Sequence, residues 1–575
     1  MIISALCHCS PLYLDIVPFS ILHALRTNTR PKLELGGIAP WLQNISNFAG
    51  DFYKMYFHTE LTGVLNYIRD CLSCGQVVEV CILKQILAKM SGWNPPENLT
   101  GKMLNCLSGG PKLKEIAYNL GEARKKAEKS SAALCNQLFK PLNGELSCAI
   151  ELIILAGQQA QQILYKASTE HLKLLGSLYD NLVSCIIQLV DLLTFESNNE
   201  NEKYKNLLPE NSIVSLVQDY SIPLPLTMYI VRPSIDFSKF DNIKQQMSQI
   251  GNSQLPIELY SMFWALSLSD IRSTEAQYDF EIKQLQDSLA PQSEMDKVRT
   301  NELVRKLDSE KAFLKFRHNM FTSLIKKTCN LEGIEQFASL FVKECVYPRV
   351  LCSPSDALYS VYFIETLHKL QVPGFPTLEV VYECLGSLVA CVHCVTEGEA
   401  ANIGLFLLEL IALLKRWQQS FRGFFKAYKE EDFSKNLNFY YRRLTNVLCA
   451  CFKSKSYIVQ RNALQLLSKV FREFPLNLEQ ANKILEALHP VKSSELKDLK
   501  LLSQRFYDNL QNKFVSRPPK RQNHKQDFKD TKKKLPQKRK PDRSPESKRD
   551  KRDDDRRRFY KKHDYKYDKS KRRPS

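Results

Sequence analysis

The chain has 575 residues and a formal net charge of +19, distributed unevenly: residues 516–575 hold 26 Lys and Arg against 10 Asp and Glu and so supply +16 of it. The nearly neutral remainder exceeds the ~250 to 300 residues at which a single hydrophobic core stops growing, so it calls for several domains or a repeating stack. Glycine is scarce, 20 residues in all, and Leu, Ala, Lys and Glu fill long stretches, which excludes a turn-rich β protein and predicts a mostly helical body.

Residues Met1 to Leu25 are apolar, yet they lack a basic start and carry Pro11, Asp15 and Pro18. They make a poor signal peptide and a better buried helix pair. From Ile45 to Met90, Phe48, Phe52 and Met55, then Leu61, Leu65, Ile68 and Leu72, recur at three- and four-residue spacing, which predicts two antiparallel helices. Gly92 with Pro95 and Pro96, and Gly109, Gly110 and Pro111, break the chain before a basic helix expected over Lys112 to Lys129. Two amphipathic helices follow, Leu146 to Ala167 and Glu170 to Thr194. In the second, Leu172, Leu175, Tyr179, Leu182, Ile186 and Leu189 form one stripe.

The polar segment Glu196 to Lys205 has the composition of a linker, and Pro209, Pro223, Pro225, Pro233 and Pro256 punctuate what comes next. Residues Thr274 to Leu324 are charged, with weak apolar spacing interrupted near Pro291, and predict a protruding helical hairpin. From Ile334 to Phe514 helices return, separated by Pro354, Pro373, Pro376, Pro475 and Pro490; Ile403, Phe406, Leu407, Leu410, Leu414 and Trp417 make the clearest apolar face. The expected class is all-α, an extended HEAT-like α-solenoid with a disordered basic C-terminal tail, although no repeat of fixed period is visible. The expected divisions are 1–40, N-terminal helices; 41–195, a helical repeat domain; 196–257, a linker and proline-punctuated connector; 258–515, a C-terminal helical domain with its hairpin near 274–324; and 516–575, the tail. No transmembrane helix is expected, because Ala401 to Leu414, the best apolar run, is short and holds Glu409.

Catalytic apparatus is missing from the pattern. Gly101-Lys102 is followed by Met103 and lacks the earlier glycine of a phosphate cradle, and neither the paired-histidine zinc-protease pattern nor a Gly-x-Ser-x-Gly elbow occurs. All 17 cysteines lie in the body, many in apolar stripes, as free thiols pack in a reducing compartment. The pairs Cys71/Cys74 and Cys391/Cys394 lack the second pair that would complete a tetrahedral metal shell, so core packing is expected of them, and of His393 beside them. No cofactor or metal is expected.

The tail is different in kind. Leu535 is its one aliphatic residue, so it cannot bury enough apolar surface to offset ordering entropy. The runs Lys532, Lys533, Lys534 and Lys538, Arg539, Lys540, the cluster Arg556, Arg557, Arg558, Lys561, Lys562, and Lys571, Arg572, Arg573 can neutralise successive phosphates. Phe559 and Tyr560, set among them, suit stacking on unpaired bases. Nucleic acid is the expected partner of these residues; the alternative is a solubilising or nuclear-localising tail. Ser544-Pro545 has the form of a proline-directed phosphorylation site, where a phosphate would weaken polyanion binding.

Residues Asn44–Ile68 (NISNFAGDFYKMYFHTELTGVLNYI) resemble a signature stretch of the THO complex subunit 2 family, and collinear matches follow. These are Ile82–Gly92 (ILKQILAKMSG), His171–Asp180 (HLKLLGSLYD), Leu259–Asp270 (LYSMFWALSLSD), Cys345–Leu378 with CVYPRVLCSPSDALY and PGFPTL, and Val395–Ala400 (VTEGEA). The resemblance implies a non-enzymatic nuclear scaffold of the THO/TREX assembly, acting in co-transcriptional messenger-ribonucleoprotein assembly, mRNA processing and export. Its implied partners are other THO subunits, a DEAD-box RNA helicase and mRNA held by the tail, with no membrane and no small-molecule substrate. Members of the family are longer at the N-terminus, so the match is to its C-terminal portion. The competing reading is a HEAT-like transport-receptor solenoid that binds protein cargo and uses the basic tail for localisation.

Overall fold

The computed structural model describes residues 3, 6, 13–34, 37–96, 98–141, 146–166, 171–196, 201–251, 253–287, 294–425 and 429–515. Its N-terminal part consists of α1 (Ile16–Thr27), α2 (Pro40–Met55), α3 (Thr62–Ser73), α4 (Val80–Ser91), α5 (Pro111–Ala117), α6 (Gly121–Leu138), α7 (Cys148–Lys166) and α8 (Leu172–Glu196). A two-residue antiparallel ribbon, Leu33–Glu34 with Gly37–Ile38, precedes α2. The apolar register of Ile45 to Met90 belongs to three helices where two were expected. The two quoted apolar sets fall in α2 and α3, with Leu61 at the α3 N-cap, and the extra break lies beyond them, between α3 and α4, where Gly75 turns the chain at positive φ (78°). The basic helix expected over Lys112 to Lys129 is likewise split into α5 and α6, because Asn119 turns the chain through the left-handed region (φ 56°).

The proline-punctuated stretch carries α9 (Leu224–Val231) and α10 (Phe240–Ile250) and buries Ile213, Leu216 and Met228 in the main apolar interior, and the segment expected as a linker before it buries Tyr204 there as well. The Tyr204 hydroxyl donates to Ile230 O at 2.7 Å, which satisfies its polar end at full burial. Then come α11 (Ile257–Ala265) and the charged hairpin, α12 (Glu275–Asp287) and α13 (Glu294–Thr328). These two run antiparallel: Lys315 pairs with Glu275 at 2.8 Å, and Lys311 with Asp279. A small separate core, Trp93, Leu113, Tyr118, Tyr278, Ile282 and Leu307, seats the hairpin on α5.

The last part contains α14 (Tyr347–Cys352), α15 (Pro354–Lys369), α16 (Thr377–Ala390), α17 (Glu397–Gln419), α18 (Glu430–Lys453), α19 (Tyr457–Val470), α20 (Leu478–Lys492) and α21 (Lys497–Leu510). Helices α15, α17, α19 and α21 pack on one another in succession, and α16, α18 and α20 do the same. Two layers of alternate helices define an α-solenoid, whose stacking needs no fixed sequence period because each helix meets only nearby ones. The N-terminal helices repeat the scheme, α2 on α4 and α4 on both α6 and α8. At the α2–α4 crossing a Cβ on Gly50 would lie 2.8 Å from Gln85 O, so only glycine permits this approach.

One apolar interior runs from Ile21 to Leu510. Helix α8 is its axle, packing on α4, α6, α7 and α9 and also on α17 and α19. Among the described residues it is the one helix long and apolar enough to cross a membrane, by length and composition alone. The apolar-run criterion passed over it, since Asp180 and Asp191 interrupt the run. Leu182, Ile186, Leu189 and Leu193 are nonetheless fully buried against protein.

Candidate functional site

The residues expected to bind nucleic acid, from Lys532 to Arg573, and Ser544 all lie outside the described residues. The body they extend ends in α21 and a wider turn over Gln511–Val515, where Lys513 donates to Phe471 O at 2.7 Å.

Within the body, stretches far apart in sequence meet at one cleft of ≈ 1740 Å³. Lys84, Gln85 and Ala88 reach it from α4, and Lys173, Gly176 and Asp180 from α8. Tyr347, Leu351 and Cys352 reach it from α14, and Glu397, Gly398 and Glu399 from the start of α17, while α19 and α21 close the far wall with Arg461, Lys469, Asp498 and Arg505. Four of the stretches that carry the family resemblance therefore line a single wall system. The other two, Asn44–Ile68 and Leu259–Asp270, supply core residues such as Phe52, Tyr53, Phe263 and Trp264. The cleft's cations are largely engaged: Arg461 with Glu397 at 2.7 Å, Lys173 with Asp498 at 3.6 Å, and Lys84 with Asn181 at 2.9 Å.

A half-buried joint holds α8 and the start of α17 together at this cleft. Asp180 of α8 accepts from the Thr396 hydroxyl at 2.6 Å and from Gly398 N–H at 3.0 Å. It thus caps α17 from another helix, where free N–H groups and the helix dipole favour an acid. Thr396 also forms a capping box with Glu399, accepting from Glu399 N at 3.2 Å while the Glu399 carboxylate accepts from Thr396 N at 2.9 Å. Burial is the larger influence on both acids, and it outweighs these hydrogen bonds: Asp180 is raised above the usual carboxylate range and Glu399 is pushed up to about 7.

Beneath the cleft, Arg349 is wholly buried and binds Asp356 at 2.8 Å, Leu266 O at 2.7 Å and Phe263 O. Arg232 meets the same Asp356 oxygen at 2.8 Å, and Ser353 donates to the other at 2.8 Å. Burial raises the Asp356 carboxyl, but the two guanidinium groups and these hydrogen bonds hold it below its ordinary value. The Arg349 plane lies over the Tyr359 ring at 3.4 Å. This knot joins CVYPRVLCSPSDALY to LYSMFWALSLSD, and the helices it pins are the ones that shape the cleft.

Core packing, expected of the two cysteine pairs and His393, holds for Cys71, which is buried, but Cys74, His393 and Cys394 are exposed because they fall at helix ends and in the turn that follows α16. Cys391 and Cys394 donate to Ser387 O and Cys391 O, both at 3.3 Å, within a tight turn. Cys451 lies 3.5 Å from His393 Nε2, the one approach to a thiol–imidazole pair in that neighbourhood, but burial pushes its thiol up to about 11. It is not a thiolate at neutral pH. Among the described residues no cluster of His, Cys, Asp and Glu could hold a metal ion.

Sequence reasoning missed Asp180, Glu399, Arg349 and Asp356 as a set. A usable signal existed in the charged residue set inside an otherwise apolar run, Arg349 in VYPRVLC and Asp180 after a leucine-rich stripe, but its partner lies up to 218 residues away.

Fold and cleft together define the class: a two-layered α-solenoid whose N-terminal and C-terminal helices are tied across a cleft lined by charged and apolar side chains. A family model described as "Tho2: Transcription factor/nuclear export subunit protein 2" matches residues 252–510. The chain is similar over most of its length to proteins named THO complex subunit 2. It is 23% identical over 593 residues to the Arabidopsis thaliana protein, covering 87% of this chain and 32% of that one. It is 25% identical over 564 residues to the Homo sapiens protein (84% and 34%) and 25% over 518 residues to that of Saccharomyces cerevisiae (86% and 31%). These comparisons find the resemblance read from the sequence: the chain is similar to proteins named THO complex subunit 2, and it spans about a third of the length of these curated relatives.

Proposed function

We propose that the chain acts as a non-enzymatic scaffold subunit of a THO-type complex in the nucleus, in co-transcriptional mRNP assembly, mRNA processing and export. The observation that carries this reading is the similarity to THO complex subunit 2 over most of the chain, joined to the convergence of four of the six matching stretches on one cleft. In this reading the solenoid holds other THO subunits and a DEAD-box RNA helicase. The tail, through the Lys532–Lys534, Lys538–Lys540, Arg556–Lys562 and Lys571–Arg573 clusters, grips RNA phosphates. The mechanism is raised local concentration: RNA held by the tail is kept near a helicase docked on the same chain.

Two measurements test it. Affinity purification from nuclear extract should return THO subunits and a DEAD-box helicase, whereas a small GTPase with varied cargo would favour the transport-receptor reading. RNA binding by the full chain should weaken by about 10³ to 10⁵ between 50 and 200 mM salt if six to ten phosphates are engaged. A chain ending at Val515 should lose most of that affinity and its salt slope; unchanged binding would remove the tail from the mechanism.

A further inference from the structure

Helix α13 has two apolar faces. The inner one, with Leu307, Phe321 and Ile325, is buried under the hairpin and against the stack. The outer one displays Phe313, Phe316 and Met320, which are 55%, 67% and 39% exposed. Residues at i, i+3 and i+7 share one side of a helix, so three large side chains form a ridge facing solvent. A helix with one packing partner should be polar on that side. Isolated exposed apolar residues need no explanation, but a contiguous ridge of aromatic residues marks an interaction surface.

The electrostatics select the occupant. Between Lys311 and Thr328 the sequence holds five Lys and Arg and no Asp or Glu. Three of these are engaged by acids on the inner side: Lys311 with Asp279, Lys315 with Glu275 and Arg317 with Asp270. Lys326 and Lys327 are exposed and have no carboxylate partner among the described residues. A polynucleotide needs a continuous track of unpaired cations beside its stacking platforms, and here the cations next to the phenylalanines are already paired. A second helix needs one apolar residue per turn and a charged flank at one end, which is what α13 offers.

We propose that the outer face of α13 docks an amphipathic helix from another subunit, its apolar stripe laid along Phe313, Phe316 and Met320 and its acidic end against Lys326 and Lys327. This rests on the reading of the chain as a complex subunit. The test places a photoreactive benzoylphenylalanine at position 316 of the full chain in cells and identifies the crosslinked peptide by mass spectrometry. It also compares co-purification for Phe313→Ser/Phe316→Ser and for Lys326→Glu/Lys327→Glu. The expected result is a crosslink to an acidic, amphipathic helical segment of one protein. Recovery of that same protein should fall about 30-fold or more for the phenylalanine pair, as for hot-spot residues, and about tenfold for the charge reversal, with thermal unfolding of the chain unchanged.

A crosslink to RNA, to a second copy of the chain or to a basic segment would overturn the proposal. So would no crosslink, or undiminished recovery with both variants. Failure of the scaffold reading looks different: no THO subunit would accompany even the unmodified chain, while the photocrosslink would still report what covers the ridge.

Discussion

Asp180 illustrates how one side chain can matter more than its neighbourhood in sequence implies. It accepts from Thr396 and Gly398 while half-buried at the cleft wall, so removing it takes the protein acceptor from two donors at the start of α17. Asp180→Ala should cost about 2 to 4 kcal/mol of stability, and Asp180→Asn clearly less, because the amide oxygen can still accept; denaturant titration of both decides this. Glu399 adds a pH dependence. Its folded-state value of about 7 lies above the ordinary 4.5, so the folded chain binds the proton more tightly than the unfolded one. Its contribution is therefore favourable below about pH 4.5 and is lost as pH rises through about 7. Stability of the natural chain relative to Glu399→Gln should fall over that window, and a flat difference would show that burial does not perturb this acid.

Among the elements, α2 and α4 make a sterically demanding contact. Glycine within a helix costs up to about 1 kcal/mol against alanine, so Gly50→Ala would stabilise a free helix. Here the added methyl would lie 2.8 Å from Gln85 O, and the variant should instead lose about 1 to 3 kcal/mol. Gly176→Ala in α8, whose Cβ would meet Thr396 at an ordinary 3.8 Å, should be neutral or slightly stabilising. The two melting temperatures moving in the same direction would refute the argument. The hairpin shows the same dependence on setting: Glu310 of α13 accepts from Lys112 N at 2.9 Å, from Leu113 N at 3.4 Å and from the Tyr278 hydroxyl at 3.1 Å, which seats a charged element on α5.

For the molecule as a whole, the stack resembles other solenoids in being held by nearest-neighbour layers, with α8 added as a tie between its ends. Interruption of that tie should be felt far away. Ile186→Ala, at a fully buried position of α8, should cost about 2 to 5 kcal/mol. Hydrogen exchange should then loosen in α4 and α17 together; loosening confined to the N-terminal helices would mean that the two ends fold independently.

The apolar spacing of α7, α8 and α17, the scarcity of glycine and the positions of the prolines determined an all-helical body by themselves, since a helical stripe is a local property of the chain. The charge of the last sixty residues was equally plain without any fold. Only the tertiary structure decided where α5 ends and α6 begins, which helices alternate between the two layers, and that Asp180 caps a helix 216 residues onward. The physical reason is that capping, burial of a charge and the shape of a cleft depend on partners brought together by packing, and periodicity records which side of a helix is covered without recording what covers it.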